Sequence, residues 1–317
     1  MAMPATLFTQ IRQKCFPQPR VGLRPVEVLS IFWQHYQKEL AADYPGISLR
    51  RLQQEWQTTE WYDEEEWYFF DPAHPLSKFL VALAQGIPFG HHRGKQYFYE
   101  AEFQVGPATL IPRLETELLV DLAKKYWTAT RTPTRSGQAL WADVGTGCGN
   151  ILLSLLPYAQ GPVTAYGIDS SPAALALARQ NYFRMGFRWG KQVQAHWIQG
   201  DRLRAPALAE LKFDLITANP PYLKQKAHQG EVHPQVQKYE PATSLYLPDE
   251  DYNEWFAEFF TMVFEHLAPQ GLFLMEGHSA CLSELADLAK NKQLVNVEVL
   301  PDLTGRPRFL RAQKGKL

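Results

Sequence analysis

Up to about residue 100, apolar residues recur at helical spacing, with no β-alternation of comparable length. The runs "PVEVLSIFWQHYQKELAADY" and "PLSKFLVALAQG" carry this period, with Pro25 and Pro75 near their starts and Gly86 at an end. They predict a helical domain over residues 1–87. Between them lies "EWQTTEWYDEEEWYFFD", aromatic and acidic, without Lys or Arg. It reads either as aromatics packing a small helical core with the carboxylates in water, or as a docking surface for a basic partner. From Phe98 to Pro112 the pattern "FYEAEFQVGPATLIP" alternates, with Gly-Pro in its middle. This predicts a β-hairpin, the centre of a linker over residues 88–112.

From residue 113 to 317 the pattern changes again, and helical stripes alternate with short apolar runs. "ETELLVDLAKKYW", Ser170–Met185, Tyr252–Leu267 and Ser279–Ala289 read as helices; Ser170, Ser171 and Pro172 give the second a hydroxyl cap and a first-turn proline. "ALWADVG", "VTAYGID", "QAHWIQGD", "FDLITANP", "GLFLMEG" and "VNVEVL" read as strands, and "RFLRAQK" as a last one closing the sheet. Alternation of this kind predicts an α/β layered domain with a mostly parallel sheet.

Composition narrows the class. Hydrophobic residues make up 45% and charged residues 21% of 317, enough for a sizeable core. A formal net charge of −1 provides no overall field for nucleic acid. The short basic clusters, Arg131/Arg135 and the tail Arg306, Arg308, Arg311, Lys314 and Lys316, read as solvated surface. Cys15, Cys148 and Cys281 are scattered and odd in number, which argues for a reducing compartment, so the cytoplasm is the expected location. No metal-ligand spacing occurs, the start lacks the pattern of a signal peptide, and no apolar run is long enough for a membrane span.

In such sheets ligands sit outside the carboxyl ends of the strands. The first strand ends in "DVGTGCGN", a loop of Gly145, Thr146, Gly147, Cys148 and Gly149. A dinucleotide fingerprint would need its third glycine at Asn150, so that match fails. The tighter loop is either a plain turn or a close backbone approach to a small ligand. The second strand ends on Asp169, placed to accept from both hydroxyls of a ribose or, more simply, to favour a helix N-terminus. The third ends in Asp201 and Arg202, where an adenine amino group can be read. A nucleoside without pyrophosphate, such as S-adenosylmethionine, suits this set better than NAD. The fourth strand ends in "NPPY", Asn219 to Tyr222. The side-chain carbonyl of Asn219 and the carbonyl of Pro220 can receive both hydrogens of a planar NH₂ group and stabilise charge developing on its nitrogen. Pro220 and Pro221 stiffen the loop, and Tyr222 can pack on a flat substrate group.

With "NPPY", four further segments carry a family resemblance. "TLIPRLETELLV", "EVHPQVQKYEPATSL" and "DLTGRPRFL" are similar to motifs of the release-factor glutamine methyltransferases, as is "GIPFGHHRGKQYFYEAEFQV". The resemblance is collinear over residues 86 to 317. Leu114 stands where that family has proline, "YLPDEDYNE" replaces a glycine-rich segment, and Arg202 replaces an aromatic. The resemblance implies a class I S-adenosylmethionine-dependent methyltransferase of Rossmann-like fold, acting on a glutamine amide of class I peptide chain release factors; the sulfonium is already an activated donor, so no metal is expected. It implies that the Gly145–Gly149 loop, Asp169, Asp201, Arg202 and Asn219 hold the donor, and that Asn219, Pro220, Pro221 and Tyr222 hold the acceptor. The helical half would recognise the protein partner. A monomer without direct nucleic-acid contact is expected. Alternatives are an adenine-N6 methyltransferase on nucleic acid, a glutamine methyltransferase of a ribosomal protein, or a binding protein without turnover.

Overall fold

The computed structural model describes residues 5–17, 23–57, 74–130 and 137–316. Most of the acidic, aromatic segment and the Arg131/Arg135 pair lie outside them. The chain divides into two units, residues 1–94 with His233–Tyr239, and Lys95–Val232 with Glu240–Leu317.

The first unit is helical: α1 (Ala5–Cys15), α2 (Pro25–Asp43), α3 (Leu49–Gln57), α4 (Pro75–Ala84) and α5 (Phe89–Arg93). Pro25 sits in the first turn of α2, and Glu27 reaches back to accept from the Arg24 N–H at 2.9 Å. The spacing of Val28, Leu29, Phe32, Tyr36 and Leu40 turns one face of α2 inward, against Leu52, Trp56, Phe79 and Leu80. His74 Nδ1 caps α4 by accepting from the Leu76 N–H. The segment His233–Tyr239, which carries α9 (Pro234–Tyr239), is tied into this unit by hydrogen bonds from Gln235 Nε2 to the Gly86 carbonyl and from the Tyr239 hydroxyl to the Gln85 carbonyl.

The second unit opens on a hairpin, β1 (Lys95–Phe98) and β2 (Ala101–Gln104). Its turn falls on Tyr99 and Glu100, both left-handed at φ 43 and 63, and not near Gly106-Pro107. Neither residue favours that conformation; tertiary hydrogen bonds impose it. The Tyr99 N–H donates to Glu117, its hydroxyl to Asp121, and Arg188 donates to the Glu100 carbonyl. Gly106 instead begins a separate turn closed by the Thr109 N–H.

A seven-stranded sheet follows, formed by β3 (Ala139–Val144), β4 (Val163–Asp169), β5 (Val193–Gln199), β6 (Phe213–Ala218), β9 (Leu267–Glu276), β10 (Leu294–Pro301) and β11 (Pro307–Lys314). Their order is β10-β11-β9-β6-β3-β4-β5, and β11 alone runs opposite to the other six. The strand order reverses at β3, between β4 and β6, which sets the crevice for a ligand there. Successive residues of the central strands alternate between two cores. Trp141, Leu215 and Leu274 face α6 (Leu114–Thr130) and α7 (Asn150–Leu155), while Ala142, Ile216 and Phe273 face α10 (Tyr252–His266) and α11 (Leu282–Asn291). Burial on both faces explains why these strands read as continuous apolar runs. A two-residue pair, β7 (Leu223–Lys224) with β8 (Tyr246–Leu247), braces the chain beyond "NPPY". No helix among the described residues is long and apolar enough to cross a membrane.

Candidate active site

The carboxyl ends of β3, β4 and β6 open on one cavity of about 460 Å³. Gly145, Thr146, Gly147, Asp169, Asp201, Arg202, Asn219, Pro220 and Pro221 line it; Cys148, Gly149 and Tyr222 do not.

The glycine loop takes left-handed φ at Gly145, Gly147 and Gly149 (72, 56 and 84), a path that side chains disfavour. A Cβ on Gly147 would meet nothing within 4 Å, so its backbone faces open space, whereas one on Gly149 would press on Leu153 and Ala178. Gly149 therefore serves close packing at the start of α7. Cys148 is buried, and burial pushes its thiol up to about 12, which leaves it unreactive. Asp169 binds the loop: its Oδ2 accepts from the Gly147 N–H at 2.9 Å and its Oδ1 from the Ser171 N–H at 2.9 Å. That second bond meets the first turn of α8 (Pro172–Met185), where Ser171 Oγ also accepts from the Ala174 N–H. The ribose and helix-terminus readings of Asp169 are thus compatible, since each carboxylate oxygen keeps a further lone pair.

Under the loop, buried Asp143 accepts from the hydroxyls of Thr146 and Thr217, both at 2.7 Å. Burial raises its pKa from 3.8 to about 6 against these bonds, with repulsion from Asp169 added. A carboxylate whose pKa is higher folded than unfolded gives its full stability below the unfolded value and loses it as pH rises through the folded one. The shift is worth about 3 kcal/mol. In Asp143→Asn the amide is neutral at every pH, and a threonine hydroxyl can rotate to accept from it. Urea unfolding should therefore show Asp143→Asn gaining about 2 kcal/mol on the wild type between pH 4 and pH 7.5. A difference that did not change with pH would contradict the raised pKa.

Asp201 is held by Arg202 through Nε and Nη2, at 3.0 and 2.9 Å, and by Arg204. The Arg202 hydrogen bond is the chief cause of its lowered pKa. Arg202, itself left-handed at φ 53, lays its guanidinium 4.8 Å from the Trp255 ring centroid and donates to the Trp255 carbonyl. Trp255 lines the cavity, so an aromatic face is present although the position after Asp201 holds arginine.

At the end of β6, the Asn219 amide nitrogen donates to Thr116 Oγ1 at 3.4 Å and to Glu276 Oε2 at 3.3 Å. Tyr222, expected to pack on substrate, turns its hydroxyl to Glu276 Oε1 at 3.1 Å, and burial raises its pKa. Tyr252 donates to the Tyr222 carbonyl at 3.0 Å and holds the loop from behind. Next to the lining residue Pro241, buried Glu240 of the "EP" segment accepts from the Ile111 N–H at 3.0 Å and pairs with the lining residue Arg113. Two distant sequence motifs, "IPR" and "EP", thus form one wall.

The sequence reading does not reach Thr116, Trp255 or Glu276. Glu276 had a signal, for it ends β9 as Asp169 ends β4; Trp255 sits on a helix with no local mark. The fold also gathers His228, His278 and Cys281, with ligand-type atoms within 4.8 Å, which no sequence spacing announces. His228 Nδ1 accepts from the Lys224 N–H at 3.0 Å, so the neutral ring carries its proton on Nε2 and offers a metal no lone pair. Burial lowers the His228 pKa and keeps it neutral.

The strand order, the glycine loop and the acids at consecutive strand ends are the features of a class I methyltransferase, and residues 141–308 match a family model described as a methyltransferase domain. The chain is 31% identical to the release factor glutamine methyltransferase of Bacteroides thetaiotaomicron over 75% of its length and 80% of that protein. It is 33% identical to that of Koribacter versatilis over 74% of its length and 78% of that protein. The hMettl16 catalytic domain, in complex with a MAT2A 3'UTR hairpin, gives a TM-score of 0.51 at 14% identity, over 99% of this chain and 96% of that one. At that identity the likeness is one of fold alone. The chain belongs to the release factor glutamine methyltransferase family.

Proposed function

We propose that this protein transfers a methyl group from S-adenosylmethionine to the side-chain amide nitrogen of a glutamine, the one in the Gly-Gly-Gln segment of class I peptide chain release factors. The observation that carries the reading is that Asn219 and Pro220 line the same cavity as the glycine loop, Asp169 and Asp201. Donor-type and acceptor-type groups therefore share one space.

The residues present fit the donor. The open face of Gly147 admits a ligand against the backbone, Asp169 has lone pairs for two ribose hydroxyls, and Trp255 with Arg202 offers a flat surface for a base. When bound, S-adenosylmethionine supplies an electrophilic methyl group on a sulfonium. The protein's task is to prepare the nucleophile. An amide nitrogen is weak because its lone pair is delocalised into the carbonyl. Asn219 Oδ1 and the Pro220 carbonyl accept hydrogen bonds from its two N–H groups, aim the nitrogen at the methyl carbon and stabilise the positive charge that grows on it, until the nitrogen sheds one proton to solvent and the sulfur departs as a neutral thioether. Orientation accounts for much of the rate, and no strong base is needed before attack. The helical unit is assigned to recognition of the protein acceptor.

The test incubates the protein with methyl-labelled S-adenosylmethionine and either a class I release factor or a DNA duplex. Label recovered on glutamine is the expected result. Label on adenine would replace this reading with the nucleic-acid one, and donor binding without transfer to either would point to a protein that no longer turns over.

A further inference from the structure

We propose that Glu276 is a positioning residue for methyl transfer: its carboxylate fixes the Asn219 amide so that Oδ1, and not Nδ2, faces the acceptor. The inference rests on the function proposed above and adds a residue that does not line the cavity.

The two ends of an asparagine amide are told apart by their partners. An ionised carboxylate can only accept hydrogen bonds. Glu276 Oε2 lies 3.3 Å from Asn219 Nδ2, and the Thr116 hydroxyl donates its proton to the same oxygen at 2.7 Å. With that proton committed, Thr116 Oγ1 turns a lone pair toward Asn219 Nδ2, 3.4 Å away. Both neighbours on this side of the amide are therefore acceptors. Rotating Asn219 by half a turn would lose two hydrogen bonds and set Oδ1 against oxygen lone pairs. The Tyr222 hydroxyl holds the other carboxylate oxygen at 3.1 Å. Arg308 from β11, at 3.8 Å, attracts the charge, while Glu115 on α6 opposes it.

The arrangement makes the orientation depend on ionisation. Burial raises the Glu276 pKa above the ordinary carboxylate range. Protonated Glu276 can donate, and a donor there lets Asn219 turn Oδ1 inward and present its NH₂ to the substrate. Transfer should then fall on the acid side at a higher pH than an exposed glutamate would set.

The experiment compares kcat and KM for release factor methylation, from pH 5 to 8, in wild type, Glu276→Gln and Glu276→Leu, with donor Kd measured by calorimetry. Glutamine can place its oxygen beside Thr116 and Asn219 and its NH₂ toward Tyr222, so Glu276→Gln should keep kcat within about 10-fold at neutral pH and lose the acid limb. Leucine can accept nothing, so Glu276→Leu should lower kcat by about 10²-fold at every pH, with donor Kd and KM changed little. Equal kcat in wild type and the leucine variant would overturn the proposal. So would equal inactivity of both variants, or an unchanged acid limb in Glu276→Gln. Should the leucine variant fail to fold, the pH profile of Glu276→Gln decides alone. Wild-type transfer to glutamine is read in the same assay: its absence defeats the proposed function, whereas an active wild type with indifferent variants defeats only the role of Glu276.

Discussion

Asn219→Ala should lower the rate of methyl transfer by about 10²- to 10³-fold while leaving donor affinity within about 3-fold of the wild type, the loss expected for one preorganised group that acts on developing charge. The substitution removes one of the two acceptors proposed for the substrate NH₂ and leaves the Pro220 carbonyl in place. It also frees Thr116 and Glu276 of a donor at 3.4 and 3.3 Å, but these two still bond to one another at 2.7 Å. The site should therefore stay folded. The acceptor glutamine would be held by one hydrogen instead of two, so its nitrogen would swing away from the line of attack. Single-turnover kinetics at saturating donor isolates this effect from product release, and calorimetry supplies the donor Kd. Equal losses in rate and donor affinity would mean that Asn219 belongs chiefly to the donor pocket.

How far this site could be read in advance depended on where each residue's partners lie. The strands from Ala139 to Ala218 show as apolar runs because both faces of the sheet are buried, and each ends in a residue marked by chemistry: a glycine loop, Asp169, Asp201 and Asn219. These signals are local, and the cavity gathers them. The turn at Tyr99-Glu100 was illegible because side chains on α6 and Arg188, far along the chain, impose its left-handed backbone. Helix α7, Asn150–Leu155, is too short to show a period. Tyr222 shows the same limit of local sequence. An aromatic after "NPP" suggests a ring on a substrate, but its hydroxyl answers to a carboxylate 54 positions away. The same strand-end logic that selected Asp169 applies to Glu276 at the end of β9, yet a buried acid whose partners are Thr116, Asn219 and Tyr222 gains meaning only once they are assembled.

Asp169→Ala should show the opposite pattern to Asn219→Ala: donor affinity weakened by about 10²-fold or more, with transfer recovering part of its rate as donor is raised. Two hydrogen bonds to a charged group are worth about 1.5–3 kcal/mol each, so losing both of the proposed ribose contacts accounts for that factor at the low end. A second loss acts through the protein. Asp169 Oδ2 is the partner of the Gly147 N–H and Oδ1 that of the Ser171 N–H, both at 2.9 Å. Without them the loop's left-handed path, φ 56 at Gly147, keeps the Gly145 and Thr146 N–H bonds to the Ile168 carbonyl at 2.9 and 3.0 Å and the Thr146 hydroxyl bond to Asp143 at 2.7 Å, but loses the bond at Gly147 itself. Helix α8 keeps its Ser171 Oγ cap on the Ala174 N–H, so the fold should survive, and circular dichroism melting checks that it does. Asp169→Asn separates the two contributions. One amide oxygen still accepts, but its NH₂ must face either Gly147 N–H or Ser171 N–H, donor against donor, so it should bind donor little better than the alanine variant. Were Asp169→Asn to bind as the wild type does, the carboxylate charge would have no part in holding the donor, and the loop alone would form the pocket.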